Sequence, residues 1–400
     1  MVSFDPFTAA ALADPYPQYR SLRERDPVHW SDKLRSWVVS RHDDVTAFFR
    51  DDERLSSDRS RAAKFRGPRP AGTTTLRTVA SDPPAHGPVR ALLNSSLGPR
   101  VRAVGPRVDE LIAALLGRIE TAVERAVDGS ALRGEVDLVH DFASPLPINV
   151  IAELLDVPPA DRERFHAWSH AVARGMDRFY SGGDANSGLL EMGAYFHQLV
   201  EARRGSEGDD LVRRLLGARY GDDRLSELEV VAMCTALVFG GHETTVNLIG
   251  NGLLALLRDP AALACVRDAP EVIDTAVEEL LRFDSPAQLI SRTARTDFAW
   301  HGREIKAGDA VVALLGSANR DPEVFAAPDR LDVTRAPNPH VAFGAGTHFC
   351  PGALLTRIEA RAAIPALLRR FPCLRLGSTP PTWRPTAVLR GLAHLPVRVD

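Results

Sequence analysis

Residues 343–352 read Phe343-Gly344-Ala345-Gly346-Thr347-His348-Phe349-Cys350-Pro351-Gly352, a glycine-rich loop that presents one cysteine and runs directly into an amphipathic helix from Ala353. A thiol at a helix entrance faces free backbone N–H groups and the positive end of the dipole, which favour thiolate. Glycines let a backbone approach a flat ligand closely, and Pro351 fixes its φ and carries no N–H. Phe343 is placed to pack against such a ligand, and His348, two residues before the cysteine, to reach an anionic edge. A competing reading makes Cys350 a nucleophile with His348 as its base. Alternating residues in an extended loop point apart, which weakens that second reading.

Upstream, the longest helical pattern runs from about Glu227 to Arg258. Ser226 with Glu229 three residues later forms a capping box, and Asp259-Pro260 stops the helix. At 1.5 Å per residue it is roughly 48 Å long, enough to cross a domain. Its middle reads Phe239-Gly240-Gly241-His242-Glu243-Thr244-Thr245. Two glycines cost about 1 kcal/mol each in a helix interior, and a core carboxylate is expensive without a partner. Three local violations in one turn point to a functional distortion. The alternative is a kinked core helix holding one satisfied glutamate.

The rest of the chain sets the frame. With 44% hydrophobic and 25% charged residues in 400, it has apolar surface for a large core, which excludes a disordered or fibrous protein. Lys+Arg 49 against Asp+Glu 52 gives a net charge of -3 with the signs mixed, so no basic stripe advertises nucleic acid. Met1 to Ala10 has neither the positive nor the apolar region of a signal peptide. The apolar runs near Val230–Gly241 and Leu248–Leu257 are too short to span a membrane, so a soluble, cytoplasmic protein is expected. Four scattered cysteines without a CxxC pair argue against a disulfide framework or structural zinc, and Cys234, Cys265 and Cys373 read as small core hydrophobes. Helical periodicity marks Val108–Ala126, Pro145–Leu155, Leu189–Arg203, Asp209–Leu216 and Ala353–Arg370. Strand-like runs fall near Trp37–Val39, Arg292–Ala299 and Ala310–Leu315, and residues 56–75 read as a long loop. The expected fold is mainly α: one domain over 1–400, a helical bundle around the 226–258 helix with minor β-sheets.

The decapeptide resembles the haem-binding signature of the cytochrome P-450 haem-thiolate monooxygenases, F-G-x-G-x-H-x-C-x-G, at every specified position. Other motifs follow in the family order. Gly240-Gly241-His242-Glu243-Thr244-Thr245 is similar to the oxygen-activating turn of that family's long helix. Glu279-Leu280-Leu281-Arg282 matches the E-x-x-R pair, with Pro328-Asp329-Arg330 as the third member of that triad, although Leu331 departs from the usual Phe. Asp82-Pro83-Pro84-Ala85-His86 through Arg90 resembles the D-P-P-x-H-x-x-x-R entry to a haem-side helix, with Gly87-Pro88 unusual there. E-x-x-R alone is a weak signal; four ordered motifs along the whole chain are a specific one.

The resemblance implies a haem b cofactor with Cys350 as the axial thiolate and metal ligand. It implies room above the porphyrin at Gly240 and Gly241, and a loop contact from Phe343, Gly344 and Gly352. Thr244 would hydrogen-bond the oxygen and hold a water while Glu243 feeds protons from solvent. His86, Arg90, Arg292 and His348 would meet the propionates, and Glu279, Arg282 and Arg330 would serve folding. Substrate contacts are expected from residues 61–75, 176–190, 236–240 and 287–290 and the turn at Val388-Leu389. The set is mainly apolar with Gln288, as suits a sizeable hydrophobic ligand. Electrons from NAD(P)H would come through a ferredoxin reductase and a ferredoxin, which would dock near Arg100, Arg102, Arg107 and Arg357. The implied activity is O2-dependent hydroxylation or epoxidation of a hydrophobic small molecule, in bacterial natural-product biosynthesis, by a monomer without nucleic-acid or membrane partners. The same chemistry could instead end in oxidative coupling, desaturation or ring closure, and a haem-binding protein without turnover is the alternative from another class.

Overall fold

In the computed structural model, residues 2–58, 61, 80–126, 135–181, 187–220 and 223–399 are described. Most of the expected loop at 56–75, and part of the expected substrate contact at 176–190, lie outside them. Fourteen α-helices are present among the described residues: α1 (Ala9–Ala13), α2 (Tyr16–Arg25), α3 (His42–Arg50), α4 (His86–Ala103), α5 (Gly105–Ala126), α6 (Pro145–Leu154) and α7 (Arg162–Ser181), then α8 (Ser187–Arg203), α9 (Leu211–Gly217), α10 (Glu227–Arg258), α11 (Pro260–Asp268), α12 (Ile273–Phe283), α13 (Leu315–Ala318) and α14 (Ala353–Arg370).

Helix α10 is the axis of the molecule. Both halves of the Ser226/Glu229 capping box form, and Asp259 ends α10 while its side chain caps α11 at Ala262 N. Its side chains are buried nearly all round, because α6, α7, α8, α12 and α14 all pack against it. Such a helix is stabilised by burial rather than by helical propensity, which lets it carry two adjacent glycines.

A five-stranded sheet stands beside the bundle in the order Val28–Ser31, Ser36–Val39, Ala310–Leu314, Leu289–Ala294, Leu55–Ser56. All pairs are antiparallel except Ala310–Leu314 with Ser36–Val39. Its faces close two smaller cores, one under α3 around Phe48 and Phe49, the other around Tyr19, Leu22, Val388 and Leu389.

Several expectations shift by local physics. The strand expected over Arg292–Ala299 starts at Leu289, stops at Ala294 and resumes as the short Phe298–Trp300 hairpin strand. Helix α4 contains Gly87, Pro88, Gly98 and Pro99, so its sequence argues against a helix; burial of Val89, Leu92, Leu93, Leu97 and Val101 on one face overrides that. Of the three cysteines expected in the core, Cys234 is buried, Cys265 half-buried and Cys373 exposed.

Candidate active site

Two backbone bonds close the cysteine loop, Cys350 N–H donating to the Phe343 carbonyl at 3.0 Å and Phe349 N–H to the Gly346 carbonyl at 3.1 Å. Gly344 and Gly346 sit at φ 71° and 68°, the left-handed region where a Cβ is costly. A Cβ on Gly346 would meet the Phe49 carbonyl oxygen at 2.7 Å, and one on Gly344 the Phe49 ring at 3.1 Å. The loop is thus pressed onto the end of α3. Gly352 caps α14, and its N–H and that of Ala353 turn toward the Cys350 sulfur, with Arg90 and Arg357 adding positive charge nearby. Burial nevertheless dominates and pushes the Cys350 thiol up. The expected thiolate preference of a helix entrance is therefore outweighed in the protein alone, and a cationic centre at the sulfur is what would reverse it.

Three side chains able to receive an anion gather beside the loop. Arg292 is buried; its Nη1 donates to the Phe48 carbonyl at 3.0 Å and pairs with Asp52 at 3.2 Å, while Nη2 has no hydrogen-bond partner. His348 Nε2 is also buried without a hydrogen-bond partner, and its ring lies 4.1 Å from that of His86. Burial, with His86 and Arg292 adjacent, lowers His348 to about 4. Arg90 is placed differently: it donates to the Phe349 carbonyl at 2.6 Å, bracing the cysteine loop. Phe343 stands against the guanidinium of Arg357, 4.6 Å from its ring centre.

On α10 the glycines divide. A Cβ at Gly240 would meet nothing within 4 Å, so this position opens onto free space, whereas one at Gly241 would meet Ile151 Cδ1 of α6 at 3.2 Å. Gly241 thus serves helix packing rather than the open side expected of it. The turn is not broken: helical structure continues through residues 239–245, and Thr244 Oγ1 donates to the Gly240 carbonyl at 2.7 Å. Glu243 points the other way. It is fully buried, with His170 Nδ1 2.6 Å from Oε1 and Arg384 on Oε2. Burial raises this carboxyl, but His170, His242 and Arg384 outweigh it and hold Glu243 at about 2.

Known proteins resemble this chain in both sequence and fold. The sequence profile described as cytochrome P-450 matches residues 194–392. The polyketide biosynthesis cytochrome P-450 PksS of Bacillus subtilis is 36% identical over 99% of this chain and 98% of its own. Its solved structure superimposes with a TM-score of 0.87, covering 99% of this chain and 100% of that one at 35% identity. The cytochrome P-450 monooxygenase PikC of Streptomyces venezuelae is 38% identical over 96% and 91% of the two chains. The solved cytochrome P-450 BioI, in complex with hexadec-9Z-enoic acid ligated acyl carrier protein, has a TM-score of 0.85 at 32% identity over 98% and 99%.

The chain belongs to the cytochrome P-450 family. It is an oxidoreductase, a haem-thiolate monooxygenase that uses haem b, O2 and electrons from NAD(P)H delivered by partner proteins. The residues present fit that cofactor. The unsatisfied His348 Nε2 and Arg292 Nη2 are buried donors for an anionic edge, and a Cβ at Gly240 would meet nothing within 4 Å.

The structural triad of this cytochrome P-450 differs in one member from the expected set. Arg282 is bidentate to Glu279 at 2.7 and 2.8 Å, both side chains fully buried. The third residue is Arg335, whose Nε reaches Glu279 Oε2 at 3.0 Å; Arg330 contributes only its carbonyl, accepting from Arg282 Nη2 at 3.2 Å, and its side chain is exposed. Asn338 and the Asp332 N–H complete the shell around Glu279.

Phe239, Ala287, Val388 and Leu389, four of the residues expected to contact substrate, converge in one apolar cluster, with Ala287 bridged to Leu389. Gln288 adjoins that cluster through its backbone, its N–H donating to the Val388 carbonyl at 2.9 Å. It is buried, donates to the Ser285 carbonyl at 2.8 Å, and presses its Oε1 on Gly316.

Proposed function

We propose that Cys350 is the axial thiolate of a haem b seated between the cysteine loop and α10, and that the enzyme hydroxylates or epoxidises a mostly hydrophobic small molecule in bacterial natural-product biosynthesis. The observation that carries this reading is the Cys350 loop itself, with left-handed Gly344 and Gly346 backed onto Phe49 and Gly352 capping α14. When bound, the haem supplies the electron-transfer and O2 chemistry, with a thiolate ligand favouring O–O cleavage.

The chain's own residues do the rest. Phe343, Gly344 and Gly352 shape the ligand loop, and His86, Arg292 and His348 take the propionates, Arg being the strongest such partner. Arg90 braces the loop at Phe349 and adds positive charge beside Cys350. Gly240 leaves room for O2 while Gly241 fixes α10 against α6. The Thr244 hydroxyl has committed its proton to the Gly240 carbonyl, so it offers its lone pairs to a water in the cleft. Glu243 is the proton source, and it must turn from His170 and Arg384 to meet that water. The apolar cluster of Phe239, Ala287, Val388 and Leu389 supports an apolar substrate, and the polyketide biosynthesis named for PksS supports a biosynthetic setting.

We infer a ferredoxin and a ferredoxin reductase as the electron donors, in the cytoplasm, with the enzyme a monomer; no single helix among the described residues is long and apolar enough to cross a membrane. Of the four arginines expected at the docking face, Arg107 is engaged by Glu110 and Glu153, and Arg357 by Glu278. Arg100, in the last turn of α4, is half-buried near Asp209, which leaves the exposed Arg102 of the same turn to steer an acidic partner.

Replacing Thr244 by Ala tests the oxygen-side assignment. The expected result is more peroxide released per NAD(P)H oxidised with the haem spectrum intact; unchanged coupling would remove Thr244 and the water it holds from the reading. A library of apolar ligands, read by the low-to-high-spin Soret shift, then narrows the substrate.

A further inference from the structure

We propose that His170 and His166 form the surface-facing half of a proton relay that ends on Glu243. The inference rests on Glu243 being the proton source. Its two oxygens are treated differently: Oε2 is taken by Arg384, a cation that does not release its proton, while Oε1 faces the titratable His170, whose Nδ1 is 2.6 Å away. An oxygen and a nitrogen that close need a proton between them. The Glu243 side chain is 1% exposed and that of His170 is 21% exposed, so the histidine is where the buried carboxyl meets the outside. Behind it, His170 Nε2 lies 3.3 Å from His166 Nε2, one turn back on α7, and His166 Nε2 is 2.7 Å from Ser144 Oγ.

The other groups facing this row are fixed. His242 is fully buried and tied to Ser169 Oγ at 2.8 Å and to the Ser144 carbonyl at 3.2 Å, with its Nδ1 4.0 Å from Glu243. Arg384 approaches from the C-terminal hairpin, and His140, exposed beyond His166, has its Nδ1 2.8 Å from Asp141. Burial and the neighbouring His170 keep His166 down to about 4, so it is neutral near pH 7 and can pass a proton without storing charge. In the transfer, the Nδ1–H bond of His170 breaks as Oε1–H forms on Glu243. His170 takes a replacement at Nε2 from His166, and His166 takes one from solvent; no electron moves. Protonation also cancels the charge that binds Glu243 to Arg384, which frees the carboxyl to turn toward Thr244.

The test uses the haem-loaded protein and the variants His170→Gln, His166→Gln and Glu243→Gln. The carboxylate infrared band of Glu243 is assigned by difference against Glu243→Gln. NAD(P)H oxidation is followed with a ferredoxin and its reductase in H2O and D2O, without added substrate, and peroxide is counted per NAD(P)H. The expected result is a shifted carboxylate band in His170→Gln, together with a larger solvent isotope effect and a severalfold rise in peroxide in both histidine variants. No further change should follow when Glu243→Gln is added, and imidazole should partly rescue His170→Gly. If Glu243→Gln releases more peroxide while the histidine variants keep the wild-type isotope effect and coupling, the relay is wrong and the role of Glu243 stands. A shifted band alone would also overturn the relay, leaving His170 a clamp. If Glu243→Gln stays fully coupled, the reading of Glu243 itself fails. His170→Asn provides the same comparison should the glutamine variant not fold.

Discussion

Glu279 and Glu243 are both fully buried carboxylates on helices that flank the cleft, and both are ion-paired, but their partners differ in kind. Glu279 is enclosed by Arg282, Arg335, Asn338 and a backbone N–H, donors that keep their protons at any physiological pH. Glu243 has one such partner, Arg384, and three histidines around its other side. A carboxylate among fixed donors can only hold a loop in place. A carboxylate beside titratable rings can exchange a proton. Glu359 on α14 is a third case: fully buried, neither oxygen has a hydrogen-bond partner, and burial drives its acid well above the usual carboxylate range.

The comparison can be broken most severely at Arg282. Arg282→Ala leaves Glu279 charged and unpaired in the core, which costs about 3–5 kcal/mol. The expected outcome is protein without a native melting transition and without haem, checked by calorimetry and the absorption spectrum; a normally loaded variant would show that the pair is dispensable.

Arg335 and Arg330 sharpen the same site. Arg335→Ala removes one charged donor from Glu279 and should destabilise by about 1–3 kcal/mol. Arg330→Ala deletes an exposed side chain and should fall within about 0.5 kcal/mol of wild type in denaturant titration. Equal effects would restore Arg330 to the triad.

The pH dependences should run in opposite directions in the two remaining sites. A folded pKa raised above the unfolded one gives stability that is complete below the unfolded value and lost as pH rises. Glu359 therefore weakens the fold progressively above pH 4.5, its ordinary value. Glu359→Gln should remove that slope, at most about 1.4 kcal/mol per pH unit. His242 is lowered from 6.5 to about 3 by burial, so it contributes stability above pH 6.5 that is lost as pH falls toward 3. His242→Gln should flatten this acid limb by a smaller amount, since the buried Ser144 and Ser169 contacts are disturbed too. Melting temperatures between pH 4 and 9 check both signs.

The legible parts of this molecule were the local ones. The cysteine loop, the α10 capping box and the Asp259-Pro260 stop are written in contiguous residues, so spacing alone located them. What decides how Glu243 behaves is not contiguous: Arg384 is 141 residues away, and the α7 histidines come from a separate helix. The i, i+4 spacing of His166 and His170 was the one signal available for them. Arg335 escaped because a Pro-Asp-Arg pattern fixes a loop, not which of its arginines turns inward. Gly240 and Gly241 look alike in sequence and differ only in what packs beside them.

The most direct test of the central claim is the carbon-monoxide difference spectrum of the reduced protein and of Cys350→Ser. The account predicts a Soret band at the red-shifted thiolate position in the wild type and its loss in the variant. A thiolate band that survives in Cys350→Ser, or a wild-type protein that binds no haem when haem is supplied, would contradict it.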